Sequence, residues 1–229
     1  MKLKPITIEA GRLIQNWRSI TLKRDGMQIT FKNKNLYSKS MLRNDRFGHI
    51  LRILRNSNFP DCIGEMYIEN GNVFDVSRSD NWGRARFMPF DLLIDKPFEE
   101  RQKLLDNLID SIDSEFLTKP IRFNDLTEAW NYVLENREEG LVLKVGNIWY
   151  KMKLLQEDKV EIKSWEQGRD KGTFLLVNNN RVSGTSMEFV DAYNQLKRKG
   201  RVFAEIEYPF ITEQGHYFQP RLRRIFCEV

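Results

Sequence analysis

The stretch SITLKRDGMQITF (residues 19–31) alternates apolar and polar side chains as a β-strand does, except at the triplet Lys23, Asp25 and Gly26. A lysine inside a strand is costly, because its charge needs solvent or a partner. Two interpretations compete. Either Lys23 faces solvent and pairs with Asp25 while Gly26 begins a turn, or Lys23 is a nucleophile in a phosphate site where neighbouring cations lower its pKa. This stretch alone does not decide between them.

The length and composition of the chain predict a globular protein with one large domain, or a medium domain and a small one. The chain has 229 residues, of which 41% are hydrophobic and 12% aromatic, enough for a packed core. No apolar run approaches the roughly 18 residues of a membrane-spanning helix. The first residues, MKLKPITIEAGRL, contain no apolar signal core. We therefore expect a cytoplasmic protein, whether a cell, a virus or a phage encodes it.

The cysteines and histidines are too few and too scattered to indicate a metal site. The two cysteines, Cys62 and Cys227, lie far apart, and the two histidines, His49 and His216, form no HxH or HExxH pattern. We therefore expect buried or incidental thiols, no zinc site and no chemistry based on histidine.

Basic residues are concentrated in the last third of the chain. The formal net charge is +5, and much of the excess lies in LKRKGR (residues 196–201) and PRLRR (residues 220–224). A phosphate-rich partner would explain this asymmetry, and so would a solvated face on a mildly basic protein. Charge alone leaves both interpretations open.

Hydrophobic periodicity predicts a mixture of helices and strands. Apolar residues recur at helical spacing over residues 46–57, 97–112 and 125–139, and the last of these helices is capped at Asp125 or Thr127. Between the helices, the segments that resemble strands are IGEMYI, GNVFDV, RFMPFDLLI, GLVLKV and NIWYKMKLL. The first part of the chain is therefore expected to be α+β.

The pattern changes after about residue 155. VEIKSWEQG, GTFLLVNN, VFAEIEYPFI and RLRRIFCEV resemble strands, and SMEFVDAYNQLKRKG resembles one amphipathic helix that ends at Gly200. Several short strands with a single helix suit a small five-stranded barrel of the OB type, a common platform for nucleic acids. We therefore predict two domains, residues 1–155 and 156–229.

Two stretches after the opening one place an acidic and an aromatic residue in strands. CIGEMYIENG contains Gly64 and Glu65, and RFMPFDLL contains Phe90 followed by Asp91. Taken alone, Glu65 also fits an exposed strand residue and Phe90 a core aromatic.

Two further stretches add a glutamate and three lysines. REEGLVLKVG contains Glu139, Gly140 and Lys144, and WYKMKLL places Lys151 and Lys153 on one side of a strand. Taken alone, Glu139 also fits a helix-end carboxylate, and Lys151 with Lys153 a solvated face.

Together and in this order, the stretches resemble the motifs of the covalent nucleotidyltransferase superfamily, and more narrowly of its ATP-dependent DNA ligases. KRDG matches the nucleophile motif KxDG, IGEMY matches DGE with Ile63 in place of aspartate, and PFDLL matches the aromatic FD motif. EGLVLK matches EGxxxK, and YKMK matches KxK. The resemblance covers nearly the whole chain, and five ordered motifs are far more specific than any one of them.

The resemblance implies a fold and an activity. The fold would be a nucleotidyltransferase (adenylation) domain of antiparallel sheets with flanking helices, followed by an OB-fold domain. The activity would be that of a minimal DNA ligase, a monomer that uses ATP and Mg²⁺ or Mn²⁺ to seal 5′-phosphate/3′-OH nicks in duplex DNA. AMP would be joined to Lys23, transferred to the 5′-phosphate and displaced by the 3′-OH.

The resemblance also implies roles for individual residues. Phe90 would stack on adenine, Glu65 would contact the ribose, and Glu65 and Glu139 would hold the metal. The other implied nucleotide-binding residues are Lys23, Lys144, Lys151 and Lys153. The implied catalytic residues are Lys23, Asp25, Glu139, Lys151 and Lys153.

Besides Ile63 in the DGE motif, two further positions depart from the family pattern. Gln28 stands where an arginine usually follows the nucleophile, and SKS offers Ser38 and Lys39 where a serine and an arginine are usual. Lysine keeps the charge but lacks the bidentate fork of arginine. The implied DNA-binding residues are Lys39, Arg221, Arg223 and Arg224.

Aromatic residues alternate with arginines near the end of the chain, in a stretch similar to the closing strands of ligase OB domains. Tyr208, Phe210, Tyr217 and Phe218 would then form a strand-binding surface. A barrel core with a basic rim is the alternative.

We therefore predict an ATP-dependent DNA ligase. An RNA ligase and a GTP-dependent mRNA capping guanylyltransferase of the same superfamily are alternatives. The glutamate of EGLVLK argues against capping, and the aspartate of KRDG favours the DNA branch. A non-catalytic nucleic-acid-binding protein with a decayed nucleotidyltransferase fold is the alternative from a different class.

Overall fold

The strand predicted over residues 20–31 is in fact two strands, Ser19–Lys23 and Met27–Lys32, which belong to different sheets. Gly26 lies in the break, where a Cβ atom would stand 2.3 Å from the Met66 carbonyl oxygen. Only glycine allows the two backbones to approach so closely. Apolar side chains alternate on both sides of the break, but they change from even positions (Ile20 and Leu22) to odd ones (Met27, Ile29 and Phe31), and the single predicted strand overlooked this change of phase.

The computed structural model describes residues 3–13, 17–145, 148–168, 171–212 and 214–228. The chain divides into two compact units, Met1–Met152 and Lys153–Val229. Asn147, where the predicted strand NIWYKMKLL begins, and Val229, where RLRRIFCEV ends, lie outside the described residues. Within the described ranges, no helix is long and apolar enough to cross a membrane.

The first unit is a mixture of helices and strands. Its helices are α1 (Ile8–Leu13), α2 (Gly48–Asn56), α3 (Val73–Ser77), α4 (Phe98–Asp110) and α5 (Leu126–Asn136), with a 3-10 helix at Ser79–Arg84. Its strands are β1 (Lys4–Pro5), β2 (Ser19–Lys23), β3 (Met27–Lys32), β4 (Asn35–Ser38), β5 (Cys62–Tyr67), β6 (Arg86–Leu92), β7 (Arg122–Phe123), β8 (Gly140–Val145) and β9 (Ile148–Lys153). The last strand ends one residue past the division between the units.

These strands form two sheets. One has the order β1-β9-β8-β2-β7 and the other the order β4-β3-β5-β6. The ladders with a described register are antiparallel, apart from the parallel pair β1 and β9. Because β2 lies in the first sheet and β3 in the second, the KRDG segment connects the two sheets.

Helices α2 and α4 cover the second sheet with their apolar faces. Ile50 and Leu54 of α2, and Leu105 and Ile109 of α4, are buried in one core with Phe31 of β3. Their spacing of four residues places each pair on one side of its helix. Each such side chain contributes about 1.5 to 3 kcal/mol when it is fully buried.

The cap of α5 is the one predicted from its sequence. The Asp125 carboxylate accepts a hydrogen bond of 2.8 Å from the backbone N–H of Glu128. This bond satisfies one of the unpaired N–H groups at the helix start. Of the two candidate caps, Asp125 is confirmed.

The strand predicted at GNVFDV is wrong, because α3 begins there. The Asn72 side chain accepts a hydrogen bond of 2.9 Å from the Phe74 N–H, and the Asp75 carboxylate accepts one of 2.9 Å from the Asn72 N–H. This capping box stabilises a helical turn. The apolar residues Val73 and Val76, three positions apart, therefore lie on one side of a helix.

The second unit is one antiparallel sheet with one helix. Its strands are β10 (Gln156–Gln167), β11 (Gly172–Leu176), β12 (Arg181–Thr185), β13 (Arg201–Tyr208) and β14 (Arg221–Glu228), in the order β12-β11-β10-β13-β14, and helix α6 (Met187–Leu196) separates β12 from β13. The edge strands β12 and β14 contact each other. The described ladders form an open sheet, and the OB-type barrel stays a prediction for this unit.

The fold class predicted from the sequence is confirmed in its main terms: antiparallel sheets with flanking helices make a mixed α+β protein. The segments IGEMYI, RFMPFDLLI and GLVLKV supply β5, β6 and β8, and the segment NIWYKMKLL supplies β9 from Ile148 onward. These strands carry most of the residues that the sequence marks for chemistry.

Gly64→Ala tests the close packing between β5 and β6. A Cβ atom at this position would stand 2.6 Å from the Met88 carbonyl oxygen and 2.6 Å from the Phe87 ring. Since backbone cannot move aside cheaply, we expect a loss of about 1 to 3 kcal/mol in the free energy of unfolding, measured by denaturant titration.

Gly48→Ala is the matched control, because no atom lies within 4 Å of a Cβ built there. We expect this variant to stay within about 1 kcal/mol of the wild type. Equal stability of the two variants would contradict the packing described for β5 and β6.

Candidate active site

Lys23, the last residue of β2, donates a hydrogen bond to Glu139 Oε2 in an ion pair. The strand register explains the contact, because Lys23 lies opposite Gly140 of β8 and Glu139 immediately precedes that glycine. Gly140 has a φ of +145°, a conformation that favours glycine. The Lys23 and Glu139 side chains are only 16% and 7% exposed. The KRDG and EGLVLK motifs therefore meet in space.

Three carboxylates act on the Lys23 amine. Burial lowers the pKa of Lys23, but the attraction of Glu139, Glu65 and Asp25, with the hydrogen bond to Glu139, raises it above its ordinary value. The expectation that neighbouring cations lower this pKa is therefore wrong for the protein without ligand. The amine is charged there, and its environment is acidic.

Lys23 lines a cleft in the first unit. The cleft encloses about 480 Å³, including space open to solvent, and its lining includes Lys23, Gln28 and Glu65 together with the aromatic residues Phe90 and Trp149. The combination of flat apolar surfaces with charged side chains suits a ligand that has both a planar ring and an anionic group.

Phe90 of β6 forms part of the aromatic lining. Its ring centroid lies 5.7 Å from that of Trp149, and the rings are tilted by 57°. The Phe90 carbonyl oxygen accepts hydrogen bonds from Gln102 Nε2 at 3.0 Å and Lys144 Nζ at 3.3 Å. The buried Asp91 carboxylate accepts two hydrogen bonds from an arginine of α4. The FD motif thus contributes its ring to the cleft, while its carboxylate binds α4.

Lys144 is buried, with 1% of its surface exposed, and its amine lies 3.7 Å from the centroid of the Trp149 ring. Burial lowers the pKa of Lys144 to about 7, an effect that Asp91 opposes and that Arg122 and Arg101 reinforce. The ring face favours the charged form. Lys144 is not one of the described residues that line the cleft. Its direct contact with a nucleotide therefore stays a prediction.

A second ion pair lies beside the first and was not predicted from the sequence. Arg24 Nη1 donates a hydrogen bond of 2.9 Å to Glu138 Oε1, and the Arg24 guanidinium lies 5.1 Å from the centroid of the Tyr67 ring. Arg24 also lines the cleft. The sequence does contain a signal for this pair. Lys23-Arg24 and Glu138-Glu139 are a basic and an acidic dipeptide, and the antiparallel register of β2 and β8 brings them face to face.

The fold is shared with solved structures of DNA ligases. A Lig E DNA ligase, described as binding DNA with a minimal scaffold, matches with a TM-score of 0.75 at 15% identity, over 99% of this chain and 98% of that one. A mycobacterial DNA ligase D in complex with ATP and MES gives 0.52 at 20% identity, over 99% and 94%. A Chlorella virus DNA ligase-adenylate gives 0.50 at 17% identity, over 99% of both chains.

The chain has the fold of the ATP-dependent DNA ligases. No protein-family model and no curated protein matches the sequence. The likeness is therefore one of structure, and the site residues of this ligase-fold chain have to be assessed from their own geometry.

The KxK motif of the ligase-fold chain lies on β9, which neighbours β8 in the first sheet. Lys151 and Lys153 are partly exposed and occupy alternate positions of the strand, so they share one face as the sequence predicted. Their roles at a phosphate stay predictions.

Apart from Ile63 in β5, the positions that depart from the family pattern lie in β3, in β4 and directly after β4. Gln28 lines the cleft and lies opposite Glu65 in the ladder of β3 and β5. Lys39 is exposed directly after β4, while the Ser38 hydroxyl accepts a hydrogen bond of 3.3 Å from the Leu42 N–H. Gln28 therefore lies in the site, and Lys39 is available to solvent.

The arginines predicted to bind DNA lie on β14 of the second unit. Arg223 Nη2 lies 2.6 Å from Glu207 Oε1, and Arg224 pairs with Glu205. Arg221 is exposed. DNA binding by all three arginines remains a prediction. Arg223 and Arg224 each form an ion pair with a glutamate.

The prediction that Tyr208 belongs to an aromatic surface for a nucleic-acid strand is wrong. Tyr208 is only 5% exposed, belongs to the core of the second unit and packs on Tyr217 at 4.5 Å between ring centroids. Tyr217 donates a hydrogen bond of 2.5 Å to Asp158. Phe210 and Phe218 stack on each other at 4.6 Å. The tyrosines therefore match the alternative prediction of a core.

Lys144→Met tests the burial of the Lys144 amine. Its pKa of about 7 in the folded protein lies below the roughly 10.4 of an unfolded lysine, so the unfolded state binds more protons between these values. The difference in free energy of unfolding, wild type minus Lys144→Met, should therefore be constant below pH 7 and should rise between pH 7 and about pH 10. We expect a change on the order of a few kcal/mol.

Denaturant unfolding at several pH values measures this difference. Lys103→Met, at an exposed position of α4, is the control for the loss of a lysine side chain, and at pH 7 its free energy of unfolding should lie within about 0.5 kcal/mol of the wild type. A difference between Lys144→Met and the wild type that does not vary with pH would contradict the lowered pKa of Lys144.

Proposed function

We propose that the protein is an ATP-dependent DNA ligase that seals 5′-phosphate/3′-OH nicks in duplex DNA. The observation that carries the proposal is the buried Lys23 amine, which contacts Glu139 and lines a cleft with Glu65 and Phe90. A nucleophile, carboxylates and an aromatic ring are the groups that transfer of a nucleotide requires. The fold described above supports the same function.

Lys23 would act first, as the nucleophile. Its Nζ would attack the α-phosphorus of ATP, forming a P–N bond as the bond to the β-phosphate oxygen breaks and pyrophosphate leaves. A charged amine cannot attack, so one proton must leave Nζ before or during this step, and a second leaves the nitrogen for solvent once the P–N bond has formed. Glu139 Oε2 already accepts a hydrogen bond from that amine, which makes it the group that would receive the proton.

The cleft would hold the nucleotide by its base and its ribose. Phe90 would stack on adenine, with Trp149 beside it. Glu65, in the same cleft, would contact the ribose. Lys151 and Lys153 would neutralise the α-phosphate, and Asp25, whose charge acts on Lys23, would help to orient the amine.

Magnesium fits the donors that this site offers. The described residues contain no group of three or more candidate side-chain ligands for a metal, and Mg²⁺ commonly binds through one or two carboxylates together with substrate phosphates and water. Glu65 and Glu139 would supply the carboxylates. When bound, the metal would neutralise charge on the phosphates. The residues of the chain would provide the positioning.

Duplex DNA would be bound by its phosphates. The net charge of +5 supports this, and the candidate contacts are Lys39, Arg221, Arg223 and Arg224. We propose residues 1–155 as the nucleotidyltransferase domain and residues 156–229 as an OB-type domain. The protein would work as a cytoplasmic monomer.

Lys23→Ala tests the nucleophile. Incubation of the wild type with ATP and Mg²⁺ should add one AMP to the intact protein, as measured by mass spectrometry, and a nicked DNA duplex should then be joined. The variant should form no detectable adduct, because Lys151 and Lys153 would contact the α-phosphate oxygens and would not attack the phosphorus in line with the leaving pyrophosphate. Lys103→Ala, at an exposed position of α4, is the control and should behave as the wild type.

The same assay separates the alternatives. Labelling from GTP would indicate capping chemistry, and joining of a nicked RNA but not of DNA would indicate an RNA ligase. A wild type that gains no AMP and joins no nick would overturn the proposed function. Adduct formation by Lys23→Ala would remove Lys23 from its role.

Salt dependence tests the contribution of phosphate contacts. Between about 50 and 200 mM salt, the rate of nick sealing at limiting DNA should fall by about tenfold or more, because counterion release drives binding. Adenylation without DNA should change far less and serves as the internal control. Equal salt dependence of the two steps would contradict the proposed mode of DNA binding.

A further inference from the structure

We propose that Gln102 and Lys144 are positioning residues that fix the Phe90 ring against the nucleotide base. The inference rests on the proposed function, since it assigns a ligand to the ring. Neither residue is among the described residues that line the cleft, so each would act through Phe90.

The two side chains together satisfy the main-chain carbonyl of Phe90. Gln102 Nε2 donates to that oxygen at 3.0 Å, and Lys144 Nζ donates at 3.3 Å. A carbonyl oxygen has two lone pairs, so both are used. The donors come from α4 and β8, whereas Phe90 belongs to β6. The backbone that carries the ring is therefore held from two separate elements.

Lys144 links both aromatic residues of the cleft. Its amine lies 3.7 Å from the centroid of the Trp149 ring and 4.8 Å from that of Phe98. Trp149 in turn faces the Phe90 ring at 5.7 Å. One buried amine thus contacts the backbone of Phe90 and the face of Trp149, and its loss would loosen both.

Gln102 is itself held in one orientation. Its Oε1 accepts a hydrogen bond of 3.1 Å from Arg122 Nη2, and Arg122 Nη1 lies 2.9 Å from each Asp106 carboxylate oxygen. Because Oε1 faces an arginine, Nε2 must face the Phe90 carbonyl. Nε2 also lies 3.4 Å from Asp91 Oδ1. The amide is therefore oriented by neighbouring protein side chains, of which Arg122 and Asp106 are partly exposed, and not by a ligand.

The residue after Phe90 is fixed to the same helix. Arg101 donates to the Asp91 carboxylate through Nε at 2.8 Å and Nη2 at 3.0 Å. A bidentate pair of this kind is geometrically specific. The Phe90 carbonyl oxygen and the Asp91 side chain therefore both bind α4. The part of Phe90 that can contact a ligand in the cleft is its ring.

If these two residues position the Phe90 ring, their loss should weaken binding of the nucleotide base and leave binding of the phosphates unchanged. Gln102→Met and Lys144→Met remove one donor each and keep a side chain of similar length. The KM for ATP in the adenylation step should rise by about tenfold in each variant, while the maximal rate stays within about twofold. Inorganic tripolyphosphate, which has no base, should inhibit wild type and variants with the same inhibition constant.

Lys103→Met is the matched control, as an exposed lysine of α4 next to Gln102, and should leave all three constants unchanged. Should Lys144→Met fail to fold, Gln102→Glu serves as the second variant. It keeps the shape of Gln102 but replaces the donor Nε2 with an oxygen, so the KM for ATP should rise there too.

The outcomes separate the inference from the function on which it rests. An active wild type whose variants keep the same KM for ATP would overturn the inference alone. Variants that bind ATP and tripolyphosphate more weakly by the same factor would indicate general damage to the cleft. This result would also overturn the inference. A wild type that uses no ATP would overturn the proposed function, and the positioning role with it.

Discussion

The ion pair between Lys23 and Glu139 is the contact on which the rest of the site depends. Both side chains are largely buried, and a buried charge without its partner is strongly destabilising. The pair forms only if Lys23 lies opposite Gly140 in the ladder of β2 and β8. A slip of one residue would turn every side chain of β2 to the other face. The nucleophile and the register of the first sheet are therefore fixed together.

The second constraint is the change of sheet within the KRDG segment. β2 ends at Lys23, β3 starts at Met27, and Gly26 allows the chain to pass close to the Met66 carbonyl. Since β3 pairs with β5, this connection brings Glu65 near the amine, where its charge acts on Lys23. The short connection between Lys23 and Met27 thus brings residues of two sheets into one site.

The sequence predicted the local features of this fold better than the long-range ones. The Asp125 cap and the strand at Glu65 depend on short patterns and were predictable. The meeting of KRDG with EGLVLK, 116 residues apart, was expected only from the resemblance of both motifs to one family. The break after Lys23 was missed, although the apolar residues change there from even to odd positions. At GNVFDV the capping box of Asn72 outweighed a strand-like pattern. The partners of Arg24 and Lys144 lie 114 and 54 residues away, so no local pattern indicates them.

The departure at Ile63 leaves the Asp91 carboxylate to α4. Ile63 is 7% exposed and lies directly opposite Asp91 in the ladder of β5 and β6. An apolar side chain there places no second charge beside Asp91, whose own charge Arg101 balances. In this chain, the backbone beside Phe90 is therefore held through Asp91 and α4, with no contribution from a charged residue at position 63.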